Sequence, residues 1–340
     1  MSAAELKMLA VEAGEKGYRG RQIADLIYRQ GCREIAVMSS QPAGFRSILD
    51  KSYTVGRSSL NKISSARDGT FKLLLELADG ELVETVGMPY EDRFSCCVST
   101  QAGCRVACAF CATGSSGFKC NLTAGEIVDQ VLTVQEKASS KGLLGPEGRV
   151  SHVVFMGMGE PLLNYDATLR AIRLINRELE IGMRNITLST IGYVPGIYKL
   201  AGEGLQITLA VSLHASDDAL RRKLVPGMSK YRVAEIVRAC RDYFKATGRR
   251  ISFEYCLLRG VNDRKSDAVR LAELLKGLSC HVNLIPFNMV QDKGFKPPEP
   301  VAAAAFRSVL EQAGIAVTQR QQRGADIQAA CGQLRRLSRK

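Results

Sequence analysis

The feature that most constrains the fold is a regular alternation of apolar strands and amphipathic helices, which begins near Arg93. Strand and helix alternation in this order predicts a mainly parallel sheet with right-handed crossovers. Such a sheet can curl into a partial (βα)6 barrel, although a doubly wound open sheet would give the same alternation. The six candidate strands cover residues 94–99, 152–157, 185–189, 206–213, 251–258 and 281–286.

The polar and reactive residues of this region follow the ends of the candidate strands. Barrel enzymes gather their chemistry at the carboxyl ends of the strands, so this placement favours the barrel over the open sheet. The residues in question are a three-cysteine loop after the first strand, Gly157–Pro161 after the second, Ser189 at the end of the third, Ser212, Leu213 and His214 at the end of the fourth, and Asn288 after the sixth.

The region before the barrel differs in pattern. Three short helical stretches and a basic segment predict a compact, basic, helical accessory domain over residues 1–68. Two apolar runs on either side of Asp79-Gly80 predict a β-hairpin, because the glycine suits a tight turn, and residues 69–92 are assigned to this connection. Residues 93–340 form the predicted barrel together with a C-terminal segment that carries a candidate catalytic cysteine.

Composition restricts the class of protein further. The 46% apolar content fits a globular core, and no apolar run is long enough to span a membrane. Without a signal-peptide pattern, the sequence predicts a cytoplasmic protein, in which eleven cysteines are catalytic, metal-bound or small core residues rather than a disulfide framework. The formal charge of +13 favours a polyanionic partner, although such a surface is also compatible with simple solvation.

The loop from Gln101 to Cys111 carries Cys104, Cys108 and Cys111 at C-x3-C-x2-C spacing, with no fourth ligand nearby. Three thiolates can hold a [4Fe-4S] cluster and leave one iron free to bind a substrate. A structural zinc site would require a closed set of four ligands, usually two C-x2-C pairs. The spacing therefore predicts an iron–sulfur cluster, with zinc or three unrelated thiols as the alternatives.

This spacing resembles that of the radical S-adenosylmethionine (SAM) enzymes, in which the open iron chelates the amine and carboxylate of SAM. The run GMGEP resembles their GEP-type motif, which implies that Gly159 and Glu160 bind the SAM amine. The resemblance also implies that the remaining strand-end residues line the SAM ribose and adenine pocket. Taken singly, each of them is more typical of a strand end that satisfies backbone groups, and His214 is equally typical of a structural histidine. These residues are Ser189, Ser212, Leu213, His214 and Asn288.

A further candidate site lies near the C-terminus. Cys331 stands between Ala330 and Gly332 in a turn-prone segment, which is typical of an exposed, reactive thiol and also of an idle surface cysteine.

Five motifs together resemble the RlmN/Cfr family of RNA methyltransferases: LVETVGMP, GCRVACAFC, GMGEPLLN, VNLIPFN and RGADIQAACGQL. The resemblance implies that Cys331 accepts a methyl group from one SAM and that a second SAM supplies a 5′-deoxyadenosyl radical. It also implies that Cys97 resolves the resulting protein–RNA adduct through a disulfide with Cys331. The resemblance further implies that Glu84 removes the ring proton, unless Cys97 takes that role.

The same resemblance implies methylation of adenine carbon 2 in 23S rRNA, at the peptidyl transferase centre, and in tRNA, at the adenosine 3′ of the anticodon. Methylation of carbon 8, as in Cfr-type members, is the alternative. The expected partners are these RNAs and an electron donor such as flavodoxin or ferredoxin, and the chain is expected to be a monomer that binds no membrane. A radical SAM enzyme acting on peptides or small molecules and a zinc-containing RNA-binding protein remain as rival hypotheses.

Overall fold

The computed structural model describes residues 1–144, 148–290 and 293–335. Three helices precede the sheet, and most of the others follow a strand as crossover connections. The helices are α1 (Ala3–Glu12), α2 (Tyr18–Tyr28), α3 (Ala43–Ser52), α4 (Ala112–Ser115), α5 (Ala124–Ser140), α6 (Tyr165–Glu178), α7 (Val194–Ala201), α8 (Asp218–Leu224), α9 (Val233–Thr247), α10 (Lys265–Leu275) and α11 (Pro300–Gln312).

Ten strands form one mixed sheet, in the order β1-β2-β3-β4-β7-β8-β9-β10-β11-β12, and β5 pairs with β6 in a separate ribbon. In the main sheet, the neighbours among β1, β2, β3 and β4 pair antiparallel. The neighbours among β4, β7, β8, β9, β10, β11 and β12 pair parallel. They are β1 (Ser59–Ser65), β2 (Phe71–Glu76), β3 (Leu82–Pro89), β4 (Phe94–Cys97), β5 (Gln101–Gly103), β6 (Phe118–Asn121), β7 (His152–Phe155), β8 (Ile186–Thr190), β9 (Thr208–Ser212), β10 (Ile251–Leu257), β11 (Cys280–Pro286) and β12 (Ala316–Gln319).

The order of the parallel strands decides between the two predicted architectures. They follow one another in chain order from β4 to β12 without the reversal that defines a doubly wound sheet. Residues at or just beyond the ends of β7, β8, β9, β10, β11 and β12 line one cavity, so the sheet curls around it. The predicted α/β fold with a partial barrel is confirmed, and all six predicted strands are present. A seventh parallel strand, β12, was not predicted.

The N-terminal region needs a correction. The three predicted helices are present as α1, α2 and α3, but residues 59–65 are not part of a helical domain. They form β1, which pairs antiparallel with β2 and extends the main sheet. The reason is tertiary, because this polar, largely exposed segment satisfies its backbone groups at the open edge of β2. The hairpin of β2 and β3 is likewise part of the main sheet rather than a separate connection.

Two local features predicted from the sequence, the turn at Gly80 and the capping box of α5, are present in the structure. Gly80 has a φ of 82° in the turn between β2 and β3, which is the left-handed conformation that glycine favours. The predicted capping box opens α5: the Thr123 hydroxyl accepts from the Glu126 backbone N–H, and the Glu126 carboxylate accepts from that of Thr123. None of the helices in the described part of the chain is long and apolar enough to cross a membrane.

Candidate active site

The three cysteines of the predicted cluster loop lie together at the carboxyl end of the barrel. Cys104, Cys108 and Cys111 all line one cavity, here called the first cavity. Burial raises the pKa of the Cys104 thiol to about 12, while the backbone N–H groups of Val106 and Ala107 point at its sulfur and oppose that rise. Donors aimed at a sulfur favour the thiolate, which is the form that binds metal.

The backbone of this loop is tightly constrained. Ala107 has a φ of 53°, which is uncommon outside glycine, and the Cys111 N–H donates to the Cys108 carbonyl at 3.1 Å. A side chain on Gly114 would place its Cβ 2.9 Å from the Cys108 nitrogen, so only glycine lets α4 pack this closely. Holding three sulfurs on so tight a turn is typical of a preformed ligand set.

The donor set of this loop fits an iron–sulfur cluster, because its three cysteine thiols line one cavity. Within the residues that the structure describes, no group of three His, Cys, Asp or Glu side chains is placed to hold one metal ion. An iron–sulfur cluster offers each thiolate its own iron, so its ligands need not converge on a single point. The loop also packs among apolar side chains, including Val106, Phe110 and Leu224, which limits access of water to the site.

The loop after β7 carries the residues of the predicted GEP motif, and two glycines let it approach β5. Gly159 has a φ of 105°, and a Cβ there would lie 2.7 Å from the Gln101 Cβ. A Cβ on Gly157 would lie 2.6 Å from the Ser99 hydroxyl oxygen. Both positions therefore require glycine, and the loop presents Gly159 and Glu160 to the first cavity.

The Glu160 carboxylate is buried and held in place by backbone donors. It accepts from the Leu162 N–H at 3.1 Å and from the Ile191 N–H at 2.8 Å. Burial raises its pKa to about 7, against the opposing effect of these hydrogen bonds and of Arg221. A carboxyl with this pKa changes charge near neutral pH and can attract an ammonium group when ionised.

Three of the other predicted SAM-pocket residues also line the first cavity. The hydroxyl oxygens of Ser189 and Ser212 lie 3.4 Å apart at the ends of β8 and β9. His214 has a φ of 58°, and its Nδ1 accepts from the Cys256 N–H at 3.0 Å. Burial lowers the pKa of His214 to about 3, so the ring is neutral. Leu213 is fully buried and does not line the first cavity: its N–H donates to the Glu254 carbonyl at 3.0 Å, and its carbonyl accepts from the Arg221 guanidinium.

The C-terminal segment folds back over the cluster loop. The Gly332 carbonyl accepts from the Ala112 N–H at 2.8 Å, and the Leu334 carbonyl accepts from the Thr113 hydroxyl at 2.5 Å. Asn288 does not line the first cavity: its side-chain amide donates to the Cys331 carbonyl at 2.9 Å. Asn288 therefore helps to hold the segment, and Cys331 is exposed at the edge of the first cavity.

A second cavity adjoins the first. Cys97 and Asn288 line it, and Cys331 lines both cavities. Cys96 does not line it, as the alternation of side chains along a strand predicts. Burial raises the pKa of Cys97 to about 12, so its thiol is protonated at rest, and all eleven cysteines are free. The wall shared by the two cavities consists of Met156, Ile285, Arg320, Cys331 and Leu334.

Glu84, the predicted base, lies on β3 and lines neither cavity. Its carboxylate pairs with the Lys72 ammonium at 2.8 Å and accepts from the Arg335 N–H at 2.8 Å. The carboxylate is therefore covered by the C-terminal segment in this conformation.

Three charged residues at the site were not predicted. Arg320 follows β12 and is the charged member of the wall shared by the two cavities. Glu254 is buried on β10 and lines the first cavity, and burial raises its pKa. Arg221 is buried and donates to the Leu213 and Ile191 carbonyls, which fixes the loops after β9 and β8. Of these three residues, Glu254 had a sequence signal, because a carboxylate is unusual inside an apolar strand such as FEYC.

Comparison with known proteins adds an independent line of support. Residues 98–272 match the radical SAM superfamily. A probable dual-specificity RNA methyltransferase RlmN from Thermosynechococcus vestitus is 48% identical over 334 residues, covering 98% of this chain and 96% of that protein. The corresponding protein from Gloeobacter violaceus is 48% identical, covering 99% of this chain and 94% of that protein. The crystal structure of a radical SAM methyltransferase from Sphaerobacter thermophilus superposes with a TM-score of 0.93 at 44% identity, covering 98% of this chain and 97% of that one.

Proposed function

Because this chain belongs to the RlmN family of radical SAM methyltransferases, we propose that it methylates carbon 2 of adenosine in 23S rRNA and tRNA. The observation that carries the proposal is the position of Cys331. This thiol lies in the wall between the cavity of the three-cysteine loop and the cavity of Cys97. A methyl group mounted on Cys331 would therefore face the SAM site on one side and the resolving thiol on the other.

Membership of the radical SAM superfamily implies SAM and an iron–sulfur cluster. We assign Cys104, Cys108 and Cys111 as the ligands of a [4Fe-4S] cluster, with Gly159, Glu160, Ser189, Ser212 and His214 around SAM. When bound, the cluster supplies the electron that splits SAM into methionine and a 5′-deoxyadenosyl radical. The chain contributes by excluding water and by holding the ammonium of SAM beside the Glu160 carboxylate.

Cys331 solves the chemical difficulty of the reaction. Carbon 2 of adenine lies between two ring nitrogens and is too electron-poor to attack the electrophilic methyl group of SAM. The Cys331 thiolate performs that displacement instead and becomes a thioether, which uses one SAM. The 5′-deoxyadenosyl radical from the second SAM takes a hydrogen atom from the S-methyl group. The methylene radical that remains on Cys331 adds to the electron-poor ring.

Cys97 and Glu84 complete the turnover. The adduct joins Cys331 to the RNA base through a methylene group and carries the unpaired electron. To restore the aromatic ring it must lose that electron, which a bound cluster could take back, and the ring proton, which a base must remove. We assign this proton to Glu84 on the family motif LVETVGMP; its carboxylate pairs with the Lys72 ammonium and would be released from the Arg335 N–H. Cys97 then attacks the Cys331 sulfur: an S–S bond forms, the S–C bond breaks, and the carbon retains the electron pair and takes up a proton as the new methyl group.

The RNA substrate agrees with the charge of the chain. A net charge of +13 favours phosphate backbones, and the target base must be extruded to reach a thiol in the barrel mouth. We further propose a cytoplasmic monomer that receives electrons from a flavodoxin or ferredoxin. These assignments rest on the family and on the charge.

Analysis of the product nucleosides tests the function. The chain is reconstituted anaerobically with iron and sulfide and incubated with SAM, a reductant and unmodified 23S rRNA or tRNA. The digested RNA is then analysed by mass spectrometry with chromatography that separates methyladenosine isomers. We expect 2-methyladenosine. The product 8-methyladenosine would instead assign the Cfr-type reaction, and zinc without iron in the purified protein would contradict the enzyme assignment.

A further inference from the structure

A stack of three side chains that the reaction does not use lies beside the second cavity, and two of them line it. The Tyr90 ring lies between β3 and β4, and two guanidinium groups lie over it. The Arg93 guanidinium carbon is 4.3 Å from the ring centroid, and that of Arg323 is 4.1 Å from it. Tyr90 and Arg323 both line the second cavity, on whose wall Cys97 and Cys331 lie.

The stack holds its arginines in fixed orientations. The Arg323 guanidinium also donates to the Pro89 carbonyl at 2.9 Å, and contacts of this kind with an aromatic face orient a cation. Within the described residues, Arg323 forms no ion pair closer than 4 Å, although its charge acts on the Asp68 carboxylate, which binds the neighbouring Gly324 N–H at 3.2 Å. Arg93 pairs with its exposed neighbour Asp92 at 3.0 Å. An exposed pair of this kind contributes little to stability, so Arg93 can exchange Asp92 for another anion.

Two oriented guanidinium groups, Arg323 lining the cavity and Arg93 on the Tyr90 ring beside it, match one class of ligand. A guanidinium presents a planar fork of N–H donors that complements the oxygens of a phosphate group. A nucleotide extruded into the second cavity would bring the phosphates on either side of it to this stack. Such contacts fix the position of a strand without reading its sequence.

We infer that the Arg93–Tyr90–Arg323 stack binds the phosphodiester backbone of the RNA strand beside the extruded adenosine. The inference rests on the proposed function for the identity of the strand. Tyr90 acts as the positioning residue of the stack, and the two arginines make the contacts. Entry of the base is thereby directed to the side of the cavity wall where Cys97 and Cys331 lie.

The salt dependence of RNA binding tests this inference. The affinity of the reconstituted chain, without SAM, for a fluorescent RNA hairpin with unpaired loop adenosines is measured over a range of salt concentrations. Each phosphate contact contributes about 0.7 to 1 to the slope of log affinity against log salt. We expect Arg323→Gln and Arg93→Gln each to reduce the slope by about that amount. Tyr90→Leu is expected to reduce it as well, whereas Tyr90→Phe preserves it.

Arg307→Gln is the matched control. Arg307 lies on α11, pairs with Glu311 at 2.7 Å, and undergoes the same loss of charge away from the stack. We expect the wild-type slope for this variant. If Arg323→Gln fails to fold because the bond to Pro89 is lost, Arg93→Gln carries the test, because the Arg93 side chain is 38% exposed.

The outcomes separate the inference from the function. Wild-type slopes in all of the stack variants would overturn the inference and leave the stack a purely structural contact, whether or not the RNA is methylated. Absence of methyladenosine from the natural RNAs treated with the wild-type chain would overturn the proposed function. A reduced slope in the stack variants would still support RNA binding at this stack.

Discussion

At the scale of single residues, Glu160 links the fold to SAM binding through its charge. Its carboxyl is neutral below its pKa of about 7 and ionised above it, and only the ionised form attracts the SAM ammonium. We therefore predict that the affinity for SAM rises as the pH increases through about 7. It should fall again once the SAM amine loses its proton above about 8.

Equilibrium dialysis of radiolabelled SAM against the reconstituted protein measures this dependence. Glu160→Gln is the matched control because it keeps the size of the side chain and cannot ionise. We expect weaker binding by this variant and no rise through neutral pH. An equal rise in both proteins would show that another group is responsible.

The extent to which the sequence predicted the site is also clearest at single residues. The cysteine spacing predicted that Cys104, Cys108 and Cys111 lie together, and they line one cavity. The motif did not predict that Asn288 binds the Cys331 carbonyl, or that Lys72 and the Arg335 N–H hold Glu84. These contacts depend on where the C-terminal segment folds back. A contact with a segment far along the chain leaves no pattern in the sequence around the residue itself.

At the scale of elements, one buried ion pair joins the N-terminal region to the barrel. Arg57 precedes β1 and pairs with Asp129 on α5, and the exposed fractions of the two side chains are 4% and 1%. Asp129 also accepts from the Ser58 N–H at 2.7 Å. We predict that Arg57→Met destabilises the chain by about 3–5 kcal/mol, because the Asp129 carboxylate is left buried without its cation.

Urea unfolding followed by circular dichroism measures this loss. The control is Arg33→Met, which breaks the pair with Glu136, where the exposed fractions are 36% and 39%. That pair is expected to contribute at most about 1 kcal/mol. Equal destabilisation by the two substitutions would contradict the role assigned to the Arg57 pair.

Two strands of the main sheet that the sequence did not predict share a physical feature. Both β1 and β12 are edge strands of the sheet, and most of their residues are exposed or half-buried. A strand at an edge is stabilised mainly by its neighbour's backbone, so its own residues need not alternate between apolar and polar. The interior strands β7 to β11 had apolar patterns and were predicted. Arg320 follows the missed β12, so its place in the cavity wall was missed with it.

At the scale of the whole molecule, distant parts of the chain come together around the two cavities. The N-terminal half supplies Cys97 and the three-cysteine loop, and the last residues described supply Cys331 and the Arg335 N–H bound to Glu84. We assign successive steps of the reaction to the two cavities that meet at the Cys331 thiol. The central claim is therefore that RNA becomes covalently attached to Cys331 and is released by Cys97.

The most direct measurement of that claim is denaturing electrophoresis and mass spectrometry of the Cys97→Ala variant after reaction with SAM and RNA. We predict a covalent RNA–protein species whose crosslinked peptide contains Cys331. Cys97→Ala combined with Cys331→Ala should form none, and Cys120→Ala, a thiol on β6 outside both cavities, should methylate RNA as the wild type does. Normal turnover by Cys97→Ala without any crosslinked species would contradict the account.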